Sequence, residues 1–259
     1  MRRRRLLLAT ALGGCAFAAR AEVADLNDAI NQAGRQRMLS QRMGKAWLAL
    51  VHGVETANAQ QVLDKSLALF KRQLAALKAY APTPAIRATY GELEAAWGLY
   101  KATLTGTAPA RDAAPAVLQA DARVLALAQQ GTQQYEAAQS RPAGHLVNLA
   151  GRQRMLTQRM AKCYLAAALP VDAAAAQAEI AKARSEFATA MAALRTAPQA
   201  TPRIQQELQL ADGQWVFFDA ALQRLQGGGT SAKQLGEVFV ASENLLVVMD
   251  RVTGLYAAA

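Results

Sequence analysis

Asn31 to Lys45 reads NQAGRQRMLSQRMGK, and 117 residues later Asn148 to Lys162 reads NLAGRQRMLTQRMAK, with three of fifteen positions changed. No other part of the chain repeats so closely. Both copies lack proline and are rich in Met, Leu, Gln and Arg, so each predicts the interior of a helix. At about 100° per residue, Leu39, Met43, Ala46 and Leu50 line one side and form the expected core face. The other side carries Gly34, Arg37, Met38, Gln41, Arg42 and Lys45, matched by Gly151, Arg154, Met155, Gln158, Arg159 and Lys162. A charged face is ordinarily a solvated face. Surface helices, however, usually place Glu or Asp four residues from Lys or Arg, each pair contributing about 0.2–0.5 kcal/mol, and no acid occurs between Ile30 and Leu50. A glycine inside a helix costs about 1 kcal/mol relative to Ala. Its recurrence at the same place in both copies predicts the close approach of another backbone, beside a face built to meet something negative.

The first residues resemble an export leader, residues 1–21, with Arg2 to Arg5 as the basic start, Leu6 to Ala18 as the apolar stretch and Ala19-Arg20-Ala21 as the cleavage site. A lipobox-like Leu12-Gly13-Gly14-Cys15 leaves open an alternative in which Cys15 is acylated and anchors a lipoprotein. Beyond the leader no apolar run reaches about 18 residues, so no segment is expected to span a membrane. The expected location is periplasmic.

Without the five leader arginines the formal charge falls from +10 to +5. The two motifs hold eight positive charges and no negative ones, which leaves the rest of the mature chain at −3. Charge so local argues against nucleic acid, whose binding spreads basic residues over a wide footprint, and points to a small anion. Cys163 is the only cysteine after the leader, so no disulfide is expected within the mature chain; it reads as a small buried hydrophobe.

Helical patterns run from Val23 to about His52, where Gly53 marks the end, then from about Ala59 to Tyr80, Ala85 to Leu104 and Ala116 to Gln139. Ser140-Arg141-Pro142-Ala143-Gly144 interrupts the chain and the order begins again: His145 to Ala168, ended by Pro170; a helix capped by Asp172 and running to Thr196; one opened by Thr201-Pro202 and ended at Gly227-Gly228-Gly229; and Ser231 to about Tyr256. Phe70 and Leu77 correspond to Phe187 and Leu194, and Pro84, Ile86 and Trp97 to Pro202, Ile204 and Trp215 after a one-residue insertion. The expectation is all-α: two tandem four-helix up-and-down bundles related by internal duplication, one in residues 22–140 and one in 141–259. Trp97, Trp215, Phe217 and Phe218 are assigned to the core.

The chain offers little for catalysis. His52 and His145, its two histidines, form no spaced ligand set with Cys or acids and read as helix-end residues, so no metal site and no cofactor are expected. No nucleophile with a nearby base, no glycine-rich phosphate loop and no paired carboxylates can be named. The expected class is a binding or sensory protein rather than an enzyme.

Ala-Gly-Arg-Gln-Arg-Met-Leu-Ser-Gln-Arg-Met resembles the signature helix of the PilJ-type domain, the N-terminal family of type IV pili methyl-accepting chemotaxis transducers, which is similar to the periplasmic sensor domain of the NarX and NarQ nitrate/nitrite kinases. The shared skeleton stands here as Gly34, Arg37-Met38, Ser40, Arg42 and again as Gly151, Arg154-Met155, Thr157, Arg159. The resemblance implies that Arg37 and Arg154 grip one nitrate or nitrite between the two motif helices, with Arg42, Arg159, Gln41 and Gln158 beside them and Gly34 and Gly151 letting the helices close. This chain departs from the sensors by adding Arg35 and Arg152, and it shows no HAMP, kinase or methyl-accepting segment. Output is therefore expected through a partner, such as a membrane-bound sensor kinase, chemoreceptor or transporter. The alternative is a pilus- or chemosensory-associated interaction module without a small ligand, its basic face displayed to an acidic partner.

Overall fold

Punctuation in the sequence sets the helix ends. In the computed structural model, which describes residues 23–139, 143–169, 173–227 and 230–259, α1 spans Leu26–His52, α2 Thr56–Tyr80, α3 Pro84–Thr105 and α4 Ala114–Ala138. The second set is α5 Ala143–Ala167, α6 Ala173–Thr196, α7 Pro202–Gln223 and α8 Ala232–Ala258. Short 3₁₀ turns at Arg111–Ala113 and Arg224–Gly227 precede α4 and follow α7. Asp25 caps α1 by accepting from the Asp28 amide at 2.8 Å. Gly53 ends α1 with φ 68°, a left-handed conformation in which a side chain would be strained. Thr83 and Thr201 cap α3 and α7 in the same way, each accepting from the amide three residues on, with proline at the first helical position. The leader, the break at residues 140–142, Pro170, Asp172 and Gly228-Gly229 lie outside the described residues.

The described residues are helical with no strand, and the helices group as two four-helix units. In the first, α1 packs on α2 and α4, and α3 on α4; in the second, α5 packs on α6 and α8, and α7 on α8. The duplication is visible in the packing. Phe70 stacks on Trp97 with centroids 4.2 Å apart, and Phe187 on Trp215 at 4.3 Å, each stack contributing about 0.5–1.5 kcal/mol beyond area burial. Tyr135 donates its hydroxyl to the Leu77 carbonyl and Tyr256 to that of Leu194, both at 2.7 Å.

The two units are joined through their motif helices. Gly34 faces Gly151, Ile30 meets Gly144, Gly44 meets Lys162, and the His52 ring bonds the Leu165 carbonyl at 2.8 Å. Residue numbers rise together along this contact, so α1 and α5 lie side by side and parallel. Being packed also against α2, α4 and α8, α1 is buried from Ala29 to Ala49 at every position except Asn31, Arg35 and Arg42. This corrects the expectation of one core face and one basic face: Met38, Arg37, Gln41 and Lys45 are as buried as Leu39 and Met43, whereas Leu50 is only partly buried. A helix enclosed on all sides has no outer face to give its cations.

A second correction concerns the aromatics. Trp97 and Phe218 are buried and Trp215 packs against the core, but Phe217 is 70% exposed. Neighbours on a helix point about 100° apart, and Phe218 takes the inward direction. Cys163 is partly buried, and burial pushes its thiol up.

Candidate functional site at the α1–α5 seam

Two glycines, one from each repeat, face each other across the seam. A Cβ placed on Gly34 would lie 3.2 Å from Arg37 Nη2, 3.6 Å from Arg154 Nη2 and 4.0 Å from the Gly151 Cα; one on Gly151 would lie 3.2 Å from Arg154 Nη2 and 3.8 Å from Arg37 Nη2. The missing side chains thus make room for two guanidinium groups, one from each repeat, and both arginines are completely buried. Each reaches across to the other helix. Arg37 Nη2 donates to Asn148 Oδ1 at 2.7 Å and Arg154 Nη2 to the Asn31 carbonyl at 3.0 Å.

The sequence reading left the motif cations without carboxylates, and tertiary structure corrects this. Arg35 and Arg154 pair with Asp250, Arg42 and Lys45 with Glu243, Arg152 with Glu186, Arg159 with Glu179 and Lys162 with Asp121. The acids come from α4, α6 and α8, too far along the chain for helical spacing to reveal them. Burial explains why they are needed, because removing a cation from water without a partner costs several kcal/mol.

Arg37 is the exception. Among the described residues no carboxylate lies within ion-pair distance of it; its Nη1 donates to Gln129 Oε1 at 2.7 Å and its Nη2 to Asn148, both neutral amides. Glu136 acts only at one remove, accepting from Asn148 Nδ2. The Nε of Arg37 and that of Arg154 are buried without an acceptor. Burial, followed by the charges of Arg152 and Arg154, lowers the Arg37 pKa to about 9, against a smaller opposing pull from Glu136. Arg154 is lowered to about 10 by burial and Arg35, with Asp250 opposing. Both remain cations at neutral pH.

One to two turns further along lies a second polar layer. Gln41 donates to both Asp121 oxygens, at 2.8 and 3.0 Å, and Gln158 to the Ser242 carbonyl at 3.0 Å. Lys45 reaches Ser242 Oγ at 2.8 Å and Glu243 at 2.7 Å, with the Phe239 ring 4.3 Å away. The carboxyl of Glu243, pushed up by burial but pulled down more strongly by Lys45 and Arg42, ends at about 2; Lys45, fully buried and sharing that carboxylate, loses more to burial than it gains and falls to about 8.

Of the residues named from the sequence, the structure brings together Gly34, Gly151, Arg37 and Arg154. Gln41 and Gln158 sit in the second layer, while Arg42 and Arg159 are occupied by Glu243 and Glu179 at its partly exposed margin. Gln129, Asp250 and Asn148 were not singled out. Aligning Tyr135 with Tyr256 would have placed Gln129 and Asp250 at equivalent positions. Among the described residues no group of three His, Cys, Asp or Glu side chains could hold a metal ion. His145 is exposed near the start of α5 and pairs with Glu136.

No curated protein and no solved structure matches the chain. Residues 23–133 and 135–239 each match the family described as the type IV pili methyl-accepting chemotaxis transducer N-terminal domain, PilJ. Two matches in succession fit the two sets of four helices and the two copies of the motif. The chain therefore belongs to the PilJ family of sensory transducer domains, with the domain present twice in tandem.

Proposed function

We propose that this tandem PilJ protein is an exported, periplasmic sensory accessory that takes one small oxyanion, nitrate or nitrite, at the seam between α1 and α5. The observation that supports this reading is Arg37, a fully buried guanidinium that among the described residues has no carboxylate in ion-pair distance, is held by two neutral amides and leaves its Nε without an acceptor. Arginine suits the task because its flat fork offers paired donors to a flat anion and stays charged at any working pH. For nitrate, four heavy atoms at a ceiling of about −1.5 kcal/mol each give roughly −6 kcal/mol, a dissociation constant on the order of tens of micromolar. Arg37 lies against the charges of Arg152 and Arg154 with no carboxylate of its own among the described residues, so the empty seam is the looser state and the anion draws α1 and α5 together. A membrane-bound chemoreceptor, sensor kinase or transporter would read that population shift.

The reading of the chain as a module whose basic face docks an acidic partner needs displayed arginines, and Arg37 and Arg154 are buried. Among the described residues no helix is long and apolar enough to cross a membrane, so in this proposal membrane attachment comes from the partner or from a lipid on Cys15. Calorimetric titration of the purified protein with nitrate, nitrite, sulfate and chloride is the test. A saturable nitrate or nitrite signal that Arg37→Ala abolishes is expected; flat traces for all four anions would sink the proposal in favour of the interaction module.

A further inference from the structure

The two repeats differ at the place where their arginines converge. Tyr256 follows Tyr135 by 121 residues, as Thr253 follows Thr132, and the threonines make the same bond, each to the carbonyl four residues back, at 2.7 and 2.8 Å. In this register Asp250 of α8 is the equivalent of Gln129 of α4. Each offers one side-chain oxygen to two motif guanidinium groups. Gln129 Oε1 accepts from Arg37 Nη1 at 2.7 Å and Arg152 Nη1 at 3.1 Å; Asp250 Oδ1 accepts from Arg35 Nη2 at 2.8 Å and from Arg154 Nη1. The geometry is repeated, but a full negative charge stands in one half and a neutral amide in the other.

Resting on the anion site proposed above, we infer that Asp250 is a built-in anion that permanently satisfies the Arg154 half of the seam, and that the external oxyanion is taken one-sidedly at the Arg37 half, against Gln129 and Asn148. Asp250 and Gln129 thereby decide which half is open and hold the chain to a single anion. The amides suit an open half. Both can turn their NH₂ groups toward an incoming anion, which a carboxylate cannot do, and neither competes with the anion for Arg37 by charge. A second Asp would neutralise Arg37 from within and leave the ligand nothing to gain.

The test uses the intact protein in a buffer whose only other anion is a bulky organic sulfonate, with nitrate binding read by calorimetry and by the shift in melting temperature. Gln129→Asp is expected to weaken nitrate binding at least tenfold while leaving the anion-free melting temperature equal or higher. The charge-conserving exchange Gln129→Asp with Asp250→Gln is expected to restore binding, with one nitrate per chain, and to move its dependence: in that background Arg154→Ala abolishes the response and Arg37→Ala does not. Native nitrate affinity in Gln129→Asp, or a double variant that still depends on Arg37, would overturn the one-sided assignment while leaving the seam site in place. If the native protein and the double variant, both shown folded by circular dichroism, ignore nitrate, nitrite and sulfate alike, the anion site fails and this inference fails with it.

Discussion

Gly34 and Gly151 meet across the seam so closely that a Cβ on Gly34 would come within 3.2 Å of Arg37 Nη2 and 4.0 Å of the Gly151 Cα. The closer neighbour is the far end of a flexible side chain, so a methyl group there displaces the guanidinium before it separates the helices. Gly34→Ala also gains about 1 kcal/mol of helix propensity. The expected outcome is stability within about 1 kcal/mol of the native protein, together with a nitrate response at least tenfold weaker, checked by urea denaturation and calorimetry on the same sample. Unchanged nitrate affinity would show that the glycines do not shape the site.

Arg37 and Arg154 should differ in what their loss does to the empty protein. Arg37→Met removes a buried cation that has no carboxylate, leaving Gln129 still bonded to Arg152, and is expected to change anion-free stability by no more than about 1 kcal/mol in either direction. Arg154→Met takes a partner from Asp250, which retains Arg35 and part of its solvent contact. The expected loss is about 1–3 kcal/mol, below the 3–5 kcal/mol typical of breaking a fully buried pair. Arg35→Ala, at the partly exposed margin, should keep most of the nitrate response. Equal destabilisation by Arg37→Met and Arg154→Met in urea melts would contradict this ranking.

The second polar layer predicts two pH limbs. Glu243 is lowered from 4.5 to about 2 in the folded protein, so the unfolded chain binds more protons between those values. Its stabilisation is complete above about pH 5 and is lost as pH falls through about 2, on the order of 3 kcal/mol in all. Lys45 has the opposite sense. Its pKa is lowered from 10.5 to about 8 by burial, so its cost is present in full below pH 8 and is relieved as pH rises toward 10. Urea midpoints should therefore fall below pH 5 in the native protein more steeply than in Glu243→Gln, and should rise between pH 8 and 9.5 more steeply in the native protein than in Lys45→Met, where only the buried arginines, lowered to about 9 and 10, still contribute. Superimposable curves for the native protein and either variant would remove that residue from the account.

Much of the fold was legible because its determinants are local. Thr83-Pro84, Thr201-Pro202 and Gly53 fix helix ends by backbone chemistry, and the repeated Phe70 and Trp97, Phe187 and Trp215 mark equivalent core layers. Gly34 and Gly151 announced a close helix contact for a local reason as well. The acids that neutralise the motif were not legible, since Asp121 lies 41 residues from Lys162, Glu243 and Asp250 lie 96 or more from the cations they meet, and no spacing rule connects them. The direction of Phe217 was missed because two adjacent aromatics cannot both face the core and the pair alone does not say which one does. The difference between Gln129 and Asp250 carries the one-sided site, yet it emerges only when α4 and α8 are set in register.

The distribution of ion pairs makes the two repeats unequal partners. In α1, Arg35 depends on Asp250 and both Arg42 and Lys45 depend on Glu243, all on α8 of the other unit, and Arg37 has no carboxylate. In α5, Arg152 and Arg159 find Glu186 and Glu179 on α6 of their own unit, Arg154 finds Asp250 on α8, and only Lys162 borrows, from Asp121 of α4. Cutting the chain between residues 139 and 143 would therefore leave the first unit with four motif cations lacking a carboxylate and the second with one. Burying such charges unpaired costs several kcal/mol each, so the first unit has far more to lose. Residues 143–259 made alone are expected to keep a cooperative, weakened helical melt, and residues 23–139 alone to show little helical signal until the second unit is added. Mixing the two should restore the native circular dichroism and a single melt at one-to-one stoichiometry. A first unit that melts alone as cooperatively and at as high a temperature as the second would show that the crossed ion pairs do not hold the tandem together.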